Sequence, residues 1–564
     1  MTHFASYTTQ NNQIFVIDDD GNQISFCEEF YIAENLYDIC TGKVTFVIKI
    51  VTSNGLTSTV KMSRREATMN PLPKLSDGGL SVSNISEYTT TLTEVIYDME
   101  KNTPLTLVHS KLGFQEIIGT KVFLTAETQT PLGLSRYVDY EILKPRGTFE
   151  EWRIGIIPFL DEKPEMTLAI AMGASAPIAG LLKTAGVLTD GNIFALIGPS
   201  SRGKSSALRT SSGVWGMAST DGATDTLGDT ESYFMETLAQ KNSFPHFADE
   251  TTSCKWDFTS LIYSVSLNRS RGRCKSDGSL KPIKKWTPNS LVFTGELSMV
   301  SQSRGTSGIG ARVISFDFEW TKDAAYAEKL AKFTSTQYGT AYKPFIESLT
   351  AIPLSDLSNM YQAHIDNLKQ RITPMSGVED RILKKLSLLR LTIEIMELAW
   401  SIPVDYSAID TLLVEAFEQN ASKTDKYESV YESLLQYVSS HENQFPDEKS
   451  LKTPALAKIA KQGMTSKYNH QACVWIMSDF FEEFLSDRGL EPTNSTLHTM
   501  KDRKMLVHFK DRFRKKQELS PDKGILCYCL LLSNSAPSSA TTKKKKKTTK
   551  SKNRHLLLSE DDEN

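Results

Sequence analysis

Residues 194–209, FALIGPSSRGKSSALR, have the composition and spacing of a loop that binds nucleotide phosphates. Gly198 and Gly203 permit backbone conformations closed to other residues, so that successive N–H groups can point at an anion. Lys204 supplies a positive charge for the β- and γ-phosphates, and Ser205 a hydroxyl for Mg²⁺. The alternative is a glycine-rich turn without a ligand. The pattern predicts an ATP and Mg²⁺ site formed by Gly198, Pro199, Ser200, Ser201, Arg202, Gly203, Lys204, Ser205 and Ser206.

An acidic pair follows about fifty residues later, in SFPHFADETTS. Asp249 is predicted to hold the metal with Ser205, and Glu250 to act as the general base on the attacking water. A solvated loop pair is the alternative. Pro245 is unfavourable within a central strand, which leaves the register of this segment open.

Four further positions are candidates for the same chemistry. In NSLVFTGE, Thr294 ends a strand-like run and could orient the attacking water, with Glu296 as a second candidate. Arg304 and Arg312 are candidates for an arginine that reaches the γ-phosphate bound to a neighbouring subunit. The alternatives are a strand end with turn chemistry and two ordinary surface arginines.

The sequence that flanks these residues predicts the helices and strands that must position them. GNIFALIG predicts a buried strand before the loop, a helix is expected to start near Lys204, and residues 166–185 read as a buried apolar helix. Residues 12–70 favour strands, including a hairpin, and residues 85–100 a helix. From about residue 325 the chain reads as helical, and residues 455–532 as a helix–helix–strand module.

Composition limits the class of protein. The chain has 564 residues, 40% hydrophobic and 23% charged, with a net charge of -3, as in an ordinary multidomain globular protein. Neither a signal peptide nor a convincing membrane span is recognisable, so we expect a cytoplasmic protein that does not enter a membrane. Seven scattered cysteines without a C-x-x-C pair indicate reduced thiols and no zinc site.

Two basic segments lie near the C-terminus. Residues 501–523 carry nine cations against four acids, and the candidates for phosphate contacts in nucleic acid are Lys510, Arg512, Arg514, Lys515 and Lys516. A solvated basic helix face is the alternative. The run of five lysines at 543–547 lies in a Ser/Thr/Lys-rich tail that is expected to be disordered.

Together these motifs resemble the domain-of-unknown-function family 927, whose members include MCM-like AAA+ helicases of mobile genetic elements. That family typically shows a serine-rich loop, GKS/T-A-L-R, S-V-W-G, a D-E pair, and T-G-E after a tryptophan. The matching positions are Lys204, Ser205, Leu208, Arg209, Val214, Trp215, Gly216, Asp249, Glu250, Trp286, Thr294, Gly295 and Glu296. The resemblance spans about 12–450 in outline and is strongest over 190–320.

The resemblance implies an α/β multidomain protein with a P-loop AAA+ ATPase core. The expected divisions are a β-rich N-terminal domain (1–165), the ATPase core (166–325), a helical lid region (326–452), a winged-helix-like module (453–532) and a disordered tail (533–564). It further implies a homo-oligomeric ring, of which a hexamer is one size, that acts on DNA, with a single strand as the expected substrate.

The sequence therefore predicts an ATP-hydrolysing motor, a replicative helicase of a phage or mobile element. One alternative is a loader or remodeller that uses ATP without unwinding DNA. Another is a nucleotide-gated protein that binds DNA or a partner with little turnover, which the presence of Glu250 disfavours. A small-molecule kinase is disfavoured because no acceptor site accompanies the loop.

Overall fold

The computed structural model divides into two compact units, residues 1–426 and 427–564. It describes residues 6–17, 21–83, 85–188, 190–251, 254, 258–274, 276–296, 299, 309–374, 376–424, 426–448, 450, 461–488, 490–520 and 523–532. The lysine run at 543–547 and the rest of the expected disordered tail lie outside these residues.

The first unit opens with a β-rich part. Its elements are β1 (Ser6–Gln10), β2 (Gln13–Ile17), β3 (Gln23–Asp38), β4 (Val44–Val51), β5 (Thr57–Ser63), α1 (Arg64–Met69), α2 (Leu72–Asp77), α3 (Ile85–Asn102), β6 (Leu105–His109), β7 (Leu112–Ile117), β8 (Thr120–Leu124), β9 (Glu127–Thr130) and β10 (Gly133–Tyr137). The expected N-terminal strands, the β2–β3 hairpin and the helix at α3 are confirmed.

Alternation of buried and more exposed side chains explains why this part forms strands. In β4, Phe46, Ile48 and Ile50 are buried and stand at every second position, so one face of the strand packs on the core that also contains α3. The long β3 pairs with β2 along its first half and with β4 and β6 along its second. This strand therefore joins eight of the ten strands into one sheet, whereas β7 and β8 belong to a separate sheet.

The centre of the unit alternates helices with strands. Its elements are α4 (Tyr140–Leu143), α5 (Phe149–Glu162), α6 (Pro164–Thr184), β11 (Asn192–Leu196), α7 (Lys204–Gly213), β12 (Thr224–Thr226), α8 (Glu231–Gln240), β13 (Lys241–Asn242), β14 (His246–Asp249), α9 (Phe258–Leu267), β15 (Ser290–Thr294) and β16 (Val313–Phe316). Five strands form a parallel sheet in the order β12-β14-β15-β11-β16. Such sheets are covered on both faces, which explains why β11 and β15 are buried along their whole length.

Helix α6 is the predicted apolar helix. It is long and apolar enough to cross a membrane by length and composition, but 94% of its most apolar window is buried inside the protein. Small residues let neighbours approach closely: a Cβ on Gly173 would lie 2.7 Å from the Phe247 ring. The helix therefore serves as the core support beneath the parallel sheet.

Helices complete the first unit, as the sequence predicts. They are α10 (Ala324–Thr336), α11 (Tyr342–Ala351), α12 (Leu354–Arg371), α13 (Gly377–Trp400) and α14 (Tyr406–Thr424). The predicted apolar stripe of α13, from Ile382 to Trp400, is buried.

The second unit differs from the helix–helix–strand prediction, which was wrong in omitting three strands. Its elements are α15 (Lys426–Ser440), β17 (Gly463–Tyr468), β18 (Gln471–Met477), α16 (Ser478–Asp487), α17 (Asn494–Asp502), β19 (Arg514–Ser520) and β20 (Lys523–Leu531). The four strands form an antiparallel sheet in the order β17-β18-β20-β19. Strand β19, RKKQELS, is polar because it is an edge strand, and hydrophobic periodicity does not reveal it.

Candidate functional site

The predicted phosphate loop, residues 198–205, lies at the carboxyl edge of the parallel sheet. Strand β11 ends at Leu196, and in the sheet register this residue stands opposite Thr294 of β15 on one side and Phe316 of β16 on the other. Because the carboxyl ends of parallel strands meet at one edge, residues that follow these strands converge on the loop.

The loop backbone requires the glycines that the motif contains. Gly198 has φ +126° and Gly203 has φ +79°, both left-handed values. A Cβ on Gly203 would also lie 2.5 Å from the Thr321 side chain. Gly203 is the residue before α7, so the first N–H groups of that helix face the loop, as in sites that bind phosphate.

Lys204 lies inside this loop. The residue is buried, and its Nζ donates hydrogen bonds of 2.8 Å to the carbonyl oxygens of Gly198 and Pro199. Its ammonium group is therefore held against the inner rim of the loop, next to the space that phosphates would occupy.

A chain of hydrogen bonds joins the loop to the acidic pair across two neighbouring strands. Ser205 Oγ donates to Asp249 Oδ1 at 3.1 Å, and Thr294 Oγ1 donates to the same carboxylate oxygen. The Glu250 backbone N–H donates to Thr294 Oγ1 at 3.0 Å. The structure thus brings together Ser205, Asp249, Thr294 and Glu250, which the sequence separates by up to 89 positions (294 minus 205).

The chemistry of these groups fits a magnesium ion. A serine hydroxyl and a carboxylate that already touch are hard oxygen ligands, which Mg²⁺ prefers, and it usually takes only one or two protein ligands when phosphates supply the rest. Glu250 is exposed and has φ +62°. An exposed carboxylate can receive a proton from water, and the Glu250 backbone is bonded to the threonine that bonds Asp249.

The strand that carries the acidic pair begins directly after Pro245, which settles its register. Strand β14 starts at His246, so Pro245 removes no hydrogen bond from the sheet. His246 is fully buried; its Nδ1 lies 2.9 Å from Lys241 Nζ and its Nε2 3.1 Å from Asp225 Oδ2. Burial, reinforced by the Lys241 charge, lowers the pKa of His246 to about 3, so this ring is neutral.

Two contacts of the loop were not assigned from the sequence. Ser200 Oγ donates to Glu296 Oε1 at 2.6 Å, and Arg202 pairs with Asp317 Oδ1 at 2.7 Å. Glu296 follows β15 and Asp317 follows β16, so each strand beside β11 is followed by an acid that holds a loop residue. Asp317 carries no motif signal, and only the strand order could have indicated it.

Of the two candidate arginines, the structure describes only Arg312. Arg304 lies outside the described residues. Arg312 precedes β16, at the amino edge of the sheet, and its guanidinium packs over the Tyr263 ring at 4.9 Å. Because β16 and β11 are parallel, Arg312 lies at the opposite edge from the phosphate loop.

A basic hairpin, residues 268–286, projects between α9 and β15 and was also missed. It carries seven cations and one acid. Its two arms are joined by the Ser270 N–H to Lys284 carbonyl bond of 2.9 Å and the Lys281 N–H to Arg273 carbonyl bond of 2.8 Å. Every described residue from 271 to 285 is exposed. Trp286 is buried at its base.

The candidate DNA-contacting residues of the second unit lie in a turn and an edge strand, so the alternative of a basic helix face was wrong. Lys510 and Arg512 belong to a tight turn closed by two 2.7 Å hydrogen bonds between Phe509 and Arg512. Arg514, Lys515 and Lys516 open β19 and are exposed. Arg514 lies 3.4 Å from Glu482 of α16.

Comparison with known proteins identifies two domains. Residues 9–285 match the family described as Domain of unknown function (DUF927), which confirms the resemblance seen in the motifs. Residues 425–535 match the family described as Cch helix turn helix domain. No curated protein sequence matches the chain.

Solved structures share the fold. One described as "SCCmec type IV Cch - active helicase" has a TM-score of 0.68 and 18% sequence identity, covering 94% of this chain and 98% of that chain. Another, described as "The A form apo structure of NrS-1 C terminal region-CTR", covers 89% of this chain and 96% of that chain at 10% identity, with a TM-score of 0.27, too low to support an argument. The first likeness establishes a mixed α/β multidomain fold.

Proposed function

We propose that this chain, which carries a DUF927 domain and a Cch helix-turn-helix domain, is an ATP-hydrolysing AAA+ motor acting on DNA, a replicative helicase of a phage or mobile element. The observation that carries the proposal is the hydrogen-bond chain from Ser205 through Asp249 and Thr294 to Glu250. It stands beside a glycine loop that holds a buried lysine, at the carboxyl edge of a parallel sheet.

The roles of the residues follow from this arrangement. The loop residues proposed to surround the phosphates of ATP are Gly198, Pro199, Ser200, Ser201, Arg202, Gly203, Lys204, Ser205 and Ser206, and all of them except Pro199 have a backbone N–H that can donate to a phosphate. Mg²⁺, held by Ser205 and Asp249, supplies positive charge to the phosphates. Lys204 binds the phosphates, and Glu250 accepts the proton of the attacking water. Thr294, which bonds the Asp249 carboxylate and the Glu250 backbone N–H, is proposed to orient the attacking water.

DNA contacts are proposed on two surfaces. The exposed cations of the basic hairpin and the residues Lys510, Arg512, Arg514, Lys515 and Lys516 can neutralise backbone phosphates. In the second unit, α16 and α17 are proposed as the helix-turn-helix pair, with α17 in the major groove as the second helix of such a pair.

One strand joins the basic hairpin to the catalytic edge. Strand β15 begins after the hairpin at Ser290 and ends at Thr294, and it is buried throughout. We propose that a load on the hairpin is transmitted along these five buried residues to the hydroxyl that bonds the Asp249 carboxylate and the Glu250 backbone N–H. This geometry supports a motor in which DNA engagement and hydrolysis are linked.

The finer assignments complete the proposal. We take residues 1–165 as the β-rich N-terminal domain, 166–325 as the AAA+ core, 326–452 as the helical lid region, 453–532 as the winged-helix-like module and 533–564 as the tail. A cytoplasmic homo-oligomeric ring, with a hexamer as one size, would bring Arg304 or Arg312 to a neighbouring site. A position of Arg312 far from its own loop is compatible with action across a subunit boundary.

The test is steady-state ATP hydrolysis by the purified chain, with and without single-stranded DNA. We expect DNA to stimulate turnover and Lys204→Ala to abolish it. Glu250→Gln should keep nucleotide binding and lower turnover by about 10²- to 10⁴-fold. Wild-type turnover in that variant would refute the base assignment.

The same measurement separates the other functions. Hydrolysis that is indifferent to DNA would favour a loader or remodeller without unwinding activity. An absence of hydrolysis despite nucleotide binding would favour a nucleotide-gated protein that binds DNA or a partner.

A further inference from the structure

Asp317 lies against both ends of the phosphate loop. Its Oδ1 lies 2.7 Å from the Arg202 guanidinium, and a Cβ built on Gly198 would lie 2.7 Å from the same oxygen. Gly198 opens the loop and Arg202 stands just before its second glycine. One carboxylate therefore spans the loop from its first residue to its fifth.

The segment after Asp317 follows the loop further. The Trp320 N–H donates to the Arg202 carbonyl oxygen at 2.9 Å, and Thr321 occupies the space that a side chain at Gly203 would need. Residues 317–321 thus contact the loop through a side chain, a backbone hydrogen bond and a close approach.

The backbone at and before Asp317 is hydrogen-bonded to side chains of α14. Asn420, which is buried, accepts the Ser315 N–H at 2.8 Å and donates to the Ser315 carbonyl oxygen at 2.8 Å. Gln419 Oε1 accepts the Asp317 N–H at 3.4 Å. The backbone that presents the carboxylate is therefore fixed to a long helix and cannot follow a moving loop.

Charge indicates what this contact does. A carboxylate next to an anion site opposes binding unless a cation neutralises it, and Arg202 is the cation that touches Asp317. Arg202 is in turn prevented from folding over the space inside the loop. The pair keeps the loop in its observed shape, in which Gly198 and Gly203 have left-handed φ values of +126° and +79°.

We propose that Asp317 is a positioning residue for the nucleotide site, acting through Arg202. It preorganises the phosphate loop and takes no part in the reaction. The inference rests on the proposed function, because it presumes that the loop binds a nucleotide. It predicts weaker nucleotide binding without Asp317 and an unchanged rate once the site is saturated.

The experiment measures the Kd of the full chain for a fluorescent ADP analogue, together with KM and kcat for ATP. The variants are Asp317→Asn, Arg202→Gln and the double variant. Glu319→Gln is the matched control, because it removes one acid from the same segment at an exposed position. Melting temperatures establish that each variant is folded.

We expect Asp317→Asn to raise Kd and KM by roughly two- to fivefold with little change in kcat, as befits a half-exposed ion pair. In the Arg202→Gln background, the same substitution should weaken binding no further and should partly restore it, because Asp317 then has no Arg202 charge to neutralise it. The gap between wild type and Asp317→Asn should narrow at high salt, and Glu319→Gln should bind as wild type does.

Three outcomes overturn the inference. A wild-type Kd in Asp317→Asn would show that the pair is irrelevant, and a lower Kd would show that Asp317 competes with the nucleotide for Arg202. Losses that multiply in the double variant would show that Asp317 does not act through Arg202.

If wild type and Lys204→Ala both fail to bind the ADP analogue, the proposed function fails first. Should Asp317→Asn not fold, Arg202→Gln with and without Asp317→Glu replaces it.

Discussion

Thr294 is the residue on which the candidate site depends most directly. It is buried, donates to the Asp249 carboxylate and accepts the Glu250 N–H. A hydroxyl is required for this arrangement, because it both donates and accepts. Without it, the half-buried Asp249 carboxylate loses a donor and the Glu250 backbone N–H loses its acceptor.

Replacing Thr294 by alanine is therefore expected to lower kcat by roughly 10- to 100-fold, the cost of a hydrogen bond to a charged group. Nucleotide affinity should change less, because the loop contacts of Lys204 remain. Thr294→Ser keeps the hydroxyl and should retain most of the activity. Equal losses in both variants would show that the methyl group, and not the hydrogen bonds, is what matters.

Several of these residues could be predicted from the sequence and others could not. Lys204 and Ser205 stand in a local pattern whose spacing is imposed by the phosphates, so the motif is visible in the chain. The contact between Arg202 and Asp317 joins positions 115 apart and exists because β16 lies beside β11. Strand order is set by packing of whole elements, and no short stretch of residues contains it.

At the scale of elements, α14 supports the sheet through one side chain. Asn420 takes both backbone hydrogen bonds of Ser315, a residue of the edge strand β16 that is almost fully buried. Periodicity predicts α14 as a helix. It does not show that Asn420 makes the backbone hydrogen bonds that a sixth strand would otherwise make with β16. The available signal was Asn420 itself, a polar residue on the apolar face of a helix.

Asn420→Ala is expected to destabilise the first unit by about 2–5 kcal/mol, because it leaves a buried N–H and a buried carbonyl without partners. Urea unfolding followed by tryptophan fluorescence measures the loss. Glu418→Ala, two positions away and exposed, should change the free energy of unfolding by less than about 0.5 kcal/mol. Similar small effects in both variants would contradict the role given to Asn420.

Strand β14 gives the first unit a pH dependence. His246 is neutral in the folded protein, with a pKa of about 3, whereas an unfolded histidine titrates near its ordinary value of 6.5. The unfolded chain therefore binds more protons between these values, and the stabilisation present above about pH 6.5 is lost as the pH falls. Burial also lowers the pKa of His109, which acts in the same direction.

The free energy of unfolding is expected to fall by at most roughly 1.4 kcal/mol per pH unit through His246 as the pH falls from 6 to 4, and the lowered pKa of His109 adds a change of the same sign. His246→Gln should reduce the slope, whereas His470→Gln, at an exposed position in the second unit, should not. Denaturant unfolding of the first unit at several pH values measures it. An unchanged slope in His246→Gln would place the protonation elsewhere.

At the scale of the whole molecule, the chain separates into a large unit and a small one with its own core. The small unit buries side chains of α16, α17, β18 and β20 against one another, including Phe481, Leu497, Val474 and Leu530. Its sheet has two different edges, with Lys516 on β19 at one edge and Lys467 on β17 at the other.

These two edges allow a matched test of DNA binding. In fragment 427–532, Lys516→Gln is expected to weaken binding to duplex DNA and to reduce the slope of log K against log salt by about one, because one phosphate contact is lost. Lys467→Gln removes the same charge from the opposite edge and should leave that slope unchanged. Equal slopes in both variants would mean that β19 does not face the DNA.

The side chain of Asn420 has a last consequence, for how copies of this chain can meet. An edge strand with open N–H and carbonyl groups is a template on which a second polypeptide can extend the sheet. The N–H and the carbonyl of Ser315 already bond Asn420, so a strand of a second molecule cannot pair with β16 at this position. Self-assembly on this side must therefore proceed through side-chain surfaces, and the same asparagine protects the folded chain from aggregating through this strand.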